Sequence, residues 1–285
     1  VGATQRMVAM LVGERMDDPS SAYARYLPAP SDPRQWEGYL TEGADAARQA
    51  FAGVTDDTPV WDPSGADAGV PFWSRRLFGE ISVHRADAAA TLDQRYEIAP
   101  DRAVAAIEDW LDTLTSAGYW ENRPGFADAM RGTGQTLHFH ADDAAGDWLA
   151  RREQDRVALD RTSGPADVTV TGPAADLLLV ISRRRPAADS ELRIEGDRAL
   201  FEHWIEHMDW VTDRPAGGGA SVSRWDPRPT AAPPVPGHRT EVGLPDTAPE
   251  YPAAWPGKRD LPAPVRGPGA CRPATGVDLG RPGRV

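Results

Sequence analysis

The hydrophobic period of this chain changes once, near Glu121, and that change limits the folds open to it. Upstream, apolar residues recur every three or four positions, the spacing of helices with one buried stripe. Met7, Met10, Leu11 and Met16 form the first run, already under way at Val1 with no capping residue before it. A loop rich in Pro, Ser and Asp comes next, from Asp17 to Pro33. A second helix is expected from about Pro33 to Phe51, with Trp36, Tyr39, Leu40, Ala47 and Phe51 on one face. After a loop over Asp56 to Val70, a third runs from about Pro71 to Thr91. A fourth runs from Pro100 to Gly118, with Val104, Ile107, Leu111 and Leu114 as its stripe and Gly118 as its stop. Four helices joined by loops imply an up-and-down bundle.

Downstream, the residues alternate as in strands. Thr136 to His140 and Asp167 to Thr171 show the pattern, and Val157 with Leu159 suggests a strand between them. Pro173 to Ile181 reads as a helix, Leu192 to Ile194 as a short strand, and Asp197 as the cap of a last helix from Arg198 to about Met208. The fold class is therefore α+β: a four-helix bundle over residues 1–122, a small α/β domain over 130–211, and a tail over 214–285. The tail is mostly Pro, Gly, Ala and Arg. It cannot bury enough apolar surface to offset its ordering entropy and reads as disordered. Arg228-Pro229, Pro233-Pro234 and Pro236 are its only hints of a Pro-rich ligand.

The net charge of −12 argues against nonspecific binding to nucleic acid or to an anionic membrane. No apolar run approaches the ~18 residues of a membrane span, and Met7 to Val12 lacks the flanks of a signal peptide. The one cysteine, Cys271, permits neither a disulfide within the chain nor a cysteine-based zinc site, and suits a reducing compartment. A cytoplasmic location is the expectation.

Glu80 and His84 are the residues most suggestive of chemistry. Four apart on a helix, they lie on one face and can reach one point. A divalent transition metal suits such a pair, since zinc takes both imidazole nitrogen and carboxylate oxygen, but a catalytic zinc normally holds three protein ligands. Without a metal, the same two residues are a helical polar pair. Three further arrangements compete. His138 and His140 share one strand face and could ligate a metal, although a structural or pocket-lining role is favoured. His203-Trp204-Ile205-Glu206-His207 fits the H-x-x-E-H pattern of inverted zinc proteases, but in a short terminal helix with no distant acidic ligand. Arg183-Arg184-Arg185 ends a helix, where cations suit the dipole.

Several motifs together resemble the mycothiol-dependent maleylpyruvate isomerase family. They are Trp73-x-Arg75-Arg76 with Glu80-x-x-x-His84-Arg85-x-Asp87; Thr136 to Ala141 with Asp143; Gly146-x-Trp148-Leu149; Asp167-Val168 with Thr171-Gly172-Pro173-Ala174-x-Asp176-Leu177-Leu178-Leu179; and Gly196-Asp197-Arg198-x-Leu200 with Trp204. They span roughly residues 1 to 211 in order. The resemblance implies a DinB-like four-helix bundle followed by a small α/β domain. It implies a divalent metal, usually zinc, held by Glu80, His84 and a first-helix histidine, and mycothiol as the thiol cofactor. It also implies Arg183, with Arg184 second, as the arginine that assists the anionic substrate or thiol.

The first-helix histidine has no counterpart here. Val1-Gly2-x-Thr4-Gln5-Arg6 resembles the family's residues on the C-terminal side of that histidine, so the missing ligand would stand directly before Val1. A valine there also fits a GTG codon taken as a start, and the expectation is an N-terminally truncated chain. The implied activity is thiol-dependent isomerase or S-transferase chemistry on a small-molecule substrate. The alternative is a non-catalytic binding or regulatory module of the same fold with an incomplete metal site.

Overall fold

Helix α1 (Gly2–Gly13) buries Val8, Leu11 and Val12 completely. In the computed structural model, which describes residues 1–25 and 29–208, this stripe is displaced from the expected methionine face, since Met7 and Met10 are only half-buried. The helix is apolar on most sides, so periodicity alone could not choose its inner face. A short helix, α2 (Ser20–Ala24), interrupts the expected loop, with the Asp18 carboxylate accepting the Ser20 N–H at 2.8 Å. A 3-10 turn (Pro33–Gln35), capped by Asp32, leads into α3 (Trp36–Ala52), which packs along α1. Ala47 faces inward as expected, whereas Trp36 and Leu40 are 49% and 42% exposed.

Helix α4 (Gly69–Thr91) packs against α5 (Pro100–Thr115), and less extensively against α1. The α5 stripe is the one its sequence foretells: Ile107, Leu111 and Leu114 are buried, with Trp110 beside them. Its end is not at Gly118. Ser116 adopts an extended backbone and caps the next helix, α6 (Ala117–Glu121), by accepting the Tyr119 N–H. A further short helix, α7 (Pro124–Met130), begins on a proline and packs Phe126 edge-on against Tyr119 and Trp120. Both elements are too short to display a hydrophobic period, so sequence patterning passes over them.

Five strands form one mixed sheet: β1 (Thr136–Ala141), β2 (Gly146–Arg152), β3 (Val157–Asp160), β4 (Val168–Gly172) and β5 (Arg193–Gly196). Their order is β3-β2-β1-β4-β5. Only the β1–β4 pairing is parallel, and the connection between those strands passes through β2 and β3. Patterning missed β2 because Trp148, Leu149 and Ala150 are buried in succession and hide the alternation. The fold is thus α+β, as expected. The expected disordered tail, and residues 209–211, lie outside the described residues.

The inner face of the sheet carries Leu137, Phe139, Ala141, Trp148, Ala150, Val168 and Val170. With α8 (Ala174–Ile181) and α9 (Arg198–His207) they form a core that continues into α5 and reaches Val83 of α4. Asp197 caps α9 as expected, its carboxylate accepting the Leu200 N–H at 3.0 Å. Replacing it by alanine is expected to cost about 1 kcal/mol in chemical denaturation, while Asp197→Asn keeps most of that stability. Equal stability for both variants would show that the cap contributes nothing. No helix among the described residues is long and apolar enough to cross a membrane.

Candidate functional site

One turn of α4 brings Glu80 and His84 together, Glu80 Oε2 lying 3.2 Å from His84 Nε2. Each is also held from its other side. The second oxygen of Glu80 accepts a hydrogen bond from Arg76 Nη2 at 2.8 Å, one turn earlier, and Arg76 Nη1 lies 2.9 Å from Asp109 Oδ2 on α5. His84 Nδ1 stands 2.8 Å from Asp87 Oδ2. Asp87 in turn accepts from Arg184, just beyond α8, at 3.1 and 3.3 Å. The result is one row of alternating charge, Asp109–Arg76–Glu80–His84–Asp87–Arg184. It begins in the core, with Arg76 and Asp109 only 6% and 3% exposed, and passes through the half-open His84 and Asp87 to Arg184. Gly79 permits its inner end, since a Cβ there would collide with the Asp109 carboxylate.

The row sets its own protonation. Burial raises the Asp109 carboxyl to about 7, against the pull of Arg76. Burial also acts to raise Glu80, but the His84 hydrogen bond and the charges of Arg76 and His84 outweigh it, so Glu80 stays below the usual carboxylate range. Hydrogen bonds to Asp87 and Glu80 raise His84 to about 9. Asp87 is lowered to about 2; its burial opposes this, but hydrogen bonds from His84 and Arg184 prevail.

This geometry fits part of a metal site. Two ligands about 2.0–2.1 Å from a tetrahedral zinc stand roughly 3.4 Å apart, close to the separation of Glu80 Oε2 and His84 Nε2. A carboxylate on the remote nitrogen of a ligating imidazole is the usual device that orients it and raises its basicity, and Asp87 occupies that place. Among the described residues two candidate ligands stand together here.

Arg183 stands one residue before Arg184. It adopts a left-handed backbone, φ 60°, and donates to the Glu206 carbonyl at 2.9 Å. The turn after α8 directs Arg184, the second candidate, toward Asp87. The protease-like histidines lie side by side, ring centroids 4.3 Å apart, but each faces a backbone carbonyl. His203 Nε2 lies 2.8 Å from the Ala129 carbonyl, and His207 Nδ1 is 2.8 Å from the His203 carbonyl. Both imidazoles serve backbone groups at the end of α9.

A second cluster does assemble. On the outer face of the sheet, His138 Nε2 and His140 Nδ1 approach the same oxygen, Asp147 Oδ1, at 2.8 and 2.9 Å. One donor atom from each residue lies within 4.8 Å of the others, so the three could hold a metal ion. The shared face of the histidines was legible in the sequence. Asp147 was not, because it is placed by its register opposite His140 on the strand that patterning missed.

Among known families, the one described as MDMPI C-terminal domain matches residues 101–203. The match is to that part of the chain. That domain points to the maleylpyruvate isomerase family, the family its motifs resemble, and its matched segment runs from α5 through the sheet into α9. No curated protein matches the chain. Among solved structures, a protein described as UbiJ-SCP2 ubiquinone synthesis protein is 18% identical over 40% of this chain and 93% of its own, with a TM-score of 0.29. The stereoselective inverting sec-alkylsulfatase Pisa1 from Pseudomonas sp. is 16% identical over 74% of this chain and 45% of its own, with a TM-score of 0.28. Likenesses this distant bear on neither the fold nor the site.

Proposed function

We propose that Glu80 and His84 are two ligands of a divalent metal, zinc foremost, in a thiol-dependent enzyme of the maleylpyruvate isomerase type. The observation that carries this reading is the spacing of Oε2 and Nε2 together with the Asp87 carboxylate behind His84. A metal held there would lower the pKa of a bound low-molecular-weight thiol, mycothiol in this family, and so supply a thiolate near neutral pH. The protein's own residues prepare that position. Asp87 fixes the His84 ring so that Nε2 faces Glu80. Arg76 occupies Oε1 of Glu80 and leaves Oε2 for ligation. Arg184 holds Asp87 and sets a permanent positive charge beside the pair, suited to an anionic small-molecule substrate or thiol. The reactions in view are isomerisation and S-transfer.

A second reading, a non-catalytic binding or regulatory module, draws on one observation: Glu80 and His84 already satisfy each other as an ion pair without any metal. Zinc analysis separates the two. It uses this chain and a variant with a histidine added directly before Val1, where the family resemblance puts the third ligand. Both carry Asp147→Asn so that the sheet cluster makes no contribution. The enzyme reading expects one zinc per extended chain, lost on Glu80→Ala and on His84→Ala, and stronger ultraviolet absorbance from the thiolate of added mycothiol. Absence of zinc from both chains would overturn it in favour of the binding module.

A further inference from the structure

We propose that His138, His140 and Asp147 form a second and separate site for a divalent transition-metal ion on the outer face of the sheet. It does not depend on the α4 pair. Cross-strand register builds it: His138 and His140 are two apart on β1, so their side chains share a face, and His140 stands directly opposite Asp147 on β2. The scaffold is therefore two paired strands, which hold side chains in place better than a loop does.

The donor set points to the class of ion. Two imidazole nitrogens and one carboxylate oxygen suit zinc, iron, nickel or copper, whereas magnesium and calcium favour all-oxygen shells. Three protein ligands leave coordination positions open, the arrangement of sites where a metal meets a solvent or small anionic ligand. His138 is held with its ring 10% exposed, so its Nε2 has limited freedom to turn away from Asp147. The surrounding face does not repel a cation. By register it carries the carboxylates Asp147, Asp160 and Glu195, which outnumber the guanidiniums Arg151 and Arg193, and Arg193 is paired with Asp142.

The metal-free state has a chemical signature that metal binding must reverse. A carboxylate accepts hydrogen bonds and cannot donate them. The nitrogens facing Asp147 Oδ1, His138 Nε2 and His140 Nδ1, therefore carry protons. An ion between the three groups needs lone pairs on those same nitrogens. Each neutral ring must then move its proton to the opposite nitrogen. The ligand atoms also have to separate from 2.8–2.9 Å to the roughly 3.4 Å edge of a tetrahedral site, a few tenths of an ångström that side-chain rotation supplies.

The test uses the full chain carrying Glu80→Ala and His84→Ala, titrated with zinc by calorimetry and with cobalt by visible absorption. One equivalent is expected to bind, with the ring-nitrogen NMR signals of His138 and His140 reporting the change of tautomer. Adding His140→Ala or Asp147→Asn is expected to weaken binding by at least about 10- to 100-fold, the loss seen when even a group behind a ligand is removed. These two positions are partly exposed, and a thermal melt confirms that the variants fold. No uptake by the Glu80→Ala/His84→Ala chain would overturn the proposal, as would uptake that Asp147→Asn and His140→Ala leave unchanged. Neither result bears on the α4 pair, which this chain lacks.

Discussion

Replacing Arg76 by methionine is expected to destabilise the protein by about 3–5 kcal/mol, the range for breaking a buried ion pair from one side. Arg76 stands between Glu80 and Asp109, and its own side chain is almost fully buried. Without it, two carboxylates face each other with no cation between them. The deficit should depend on pH in a defined direction. Asp109 titrates in the folded protein at about 7, well above the usual carboxylate value of 3.8. Between those values the folded state holds a proton that the unfolded state has lost, so stability falls as pH rises through that window. Removing Arg76 raises Asp109 further and carries the decline past neutrality. Urea denaturation at pH 5 and pH 8 should therefore show a larger loss at pH 8. Neutralising the whole set, as Arg76→Met with Glu80→Gln and Asp109→Asn, should recover much of it. A loss below about 1 kcal/mol, or one equal at both pH values, would show that the three groups are not coupled.

Replacing Trp148 by alanine is expected to cost about 3–5 kcal/mol, the usual range for removing a buried aromatic side chain. The indole is fully buried, and its Nε1 donates to Glu108 Oε1 of α5 at 2.8 Å. Gly146 gives it room, since a Cβ at that position would meet the ring at 2.5 Å. Trp148→Phe keeps the ring contacts and loses the hydrogen bond, so it should cost only about 1–2 kcal/mol. The two variants compared by urea denaturation decide the matter. Equal losses would assign the effect to the hydrogen bond and not to the core.

Sequence reading succeeded wherever one physical pattern dominated. The α5 stripe, the β1 and β4 alternation and the Asp197 cap were legible because each depends on spacing within a single segment. The Glu80–His84 pair was legible for the same reason. Failures arose where the deciding partner lay elsewhere in the chain. Asp147 acquires meaning only through its register with His140. The Arg184–Asp87 contact depends on the left-handed turn at Arg183, which no local spacing reveals. No spacing within α4 pairs Arg76 with Asp109, which α5 brings against it. The inner face of α1 was undecidable for a different reason, because a helix apolar on most sides has no period to read.

The Arg184–Asp87 contact joins residues 97 positions apart in the chain, and Asp87 is what aims the His84 ring. The turn after α8 therefore works as an adjusting screw for α4. Lengthening or stiffening the chain around residues 183–186 would re-aim an imidazole on a different helix, leaving both members of the α4 pair unchanged in sequence.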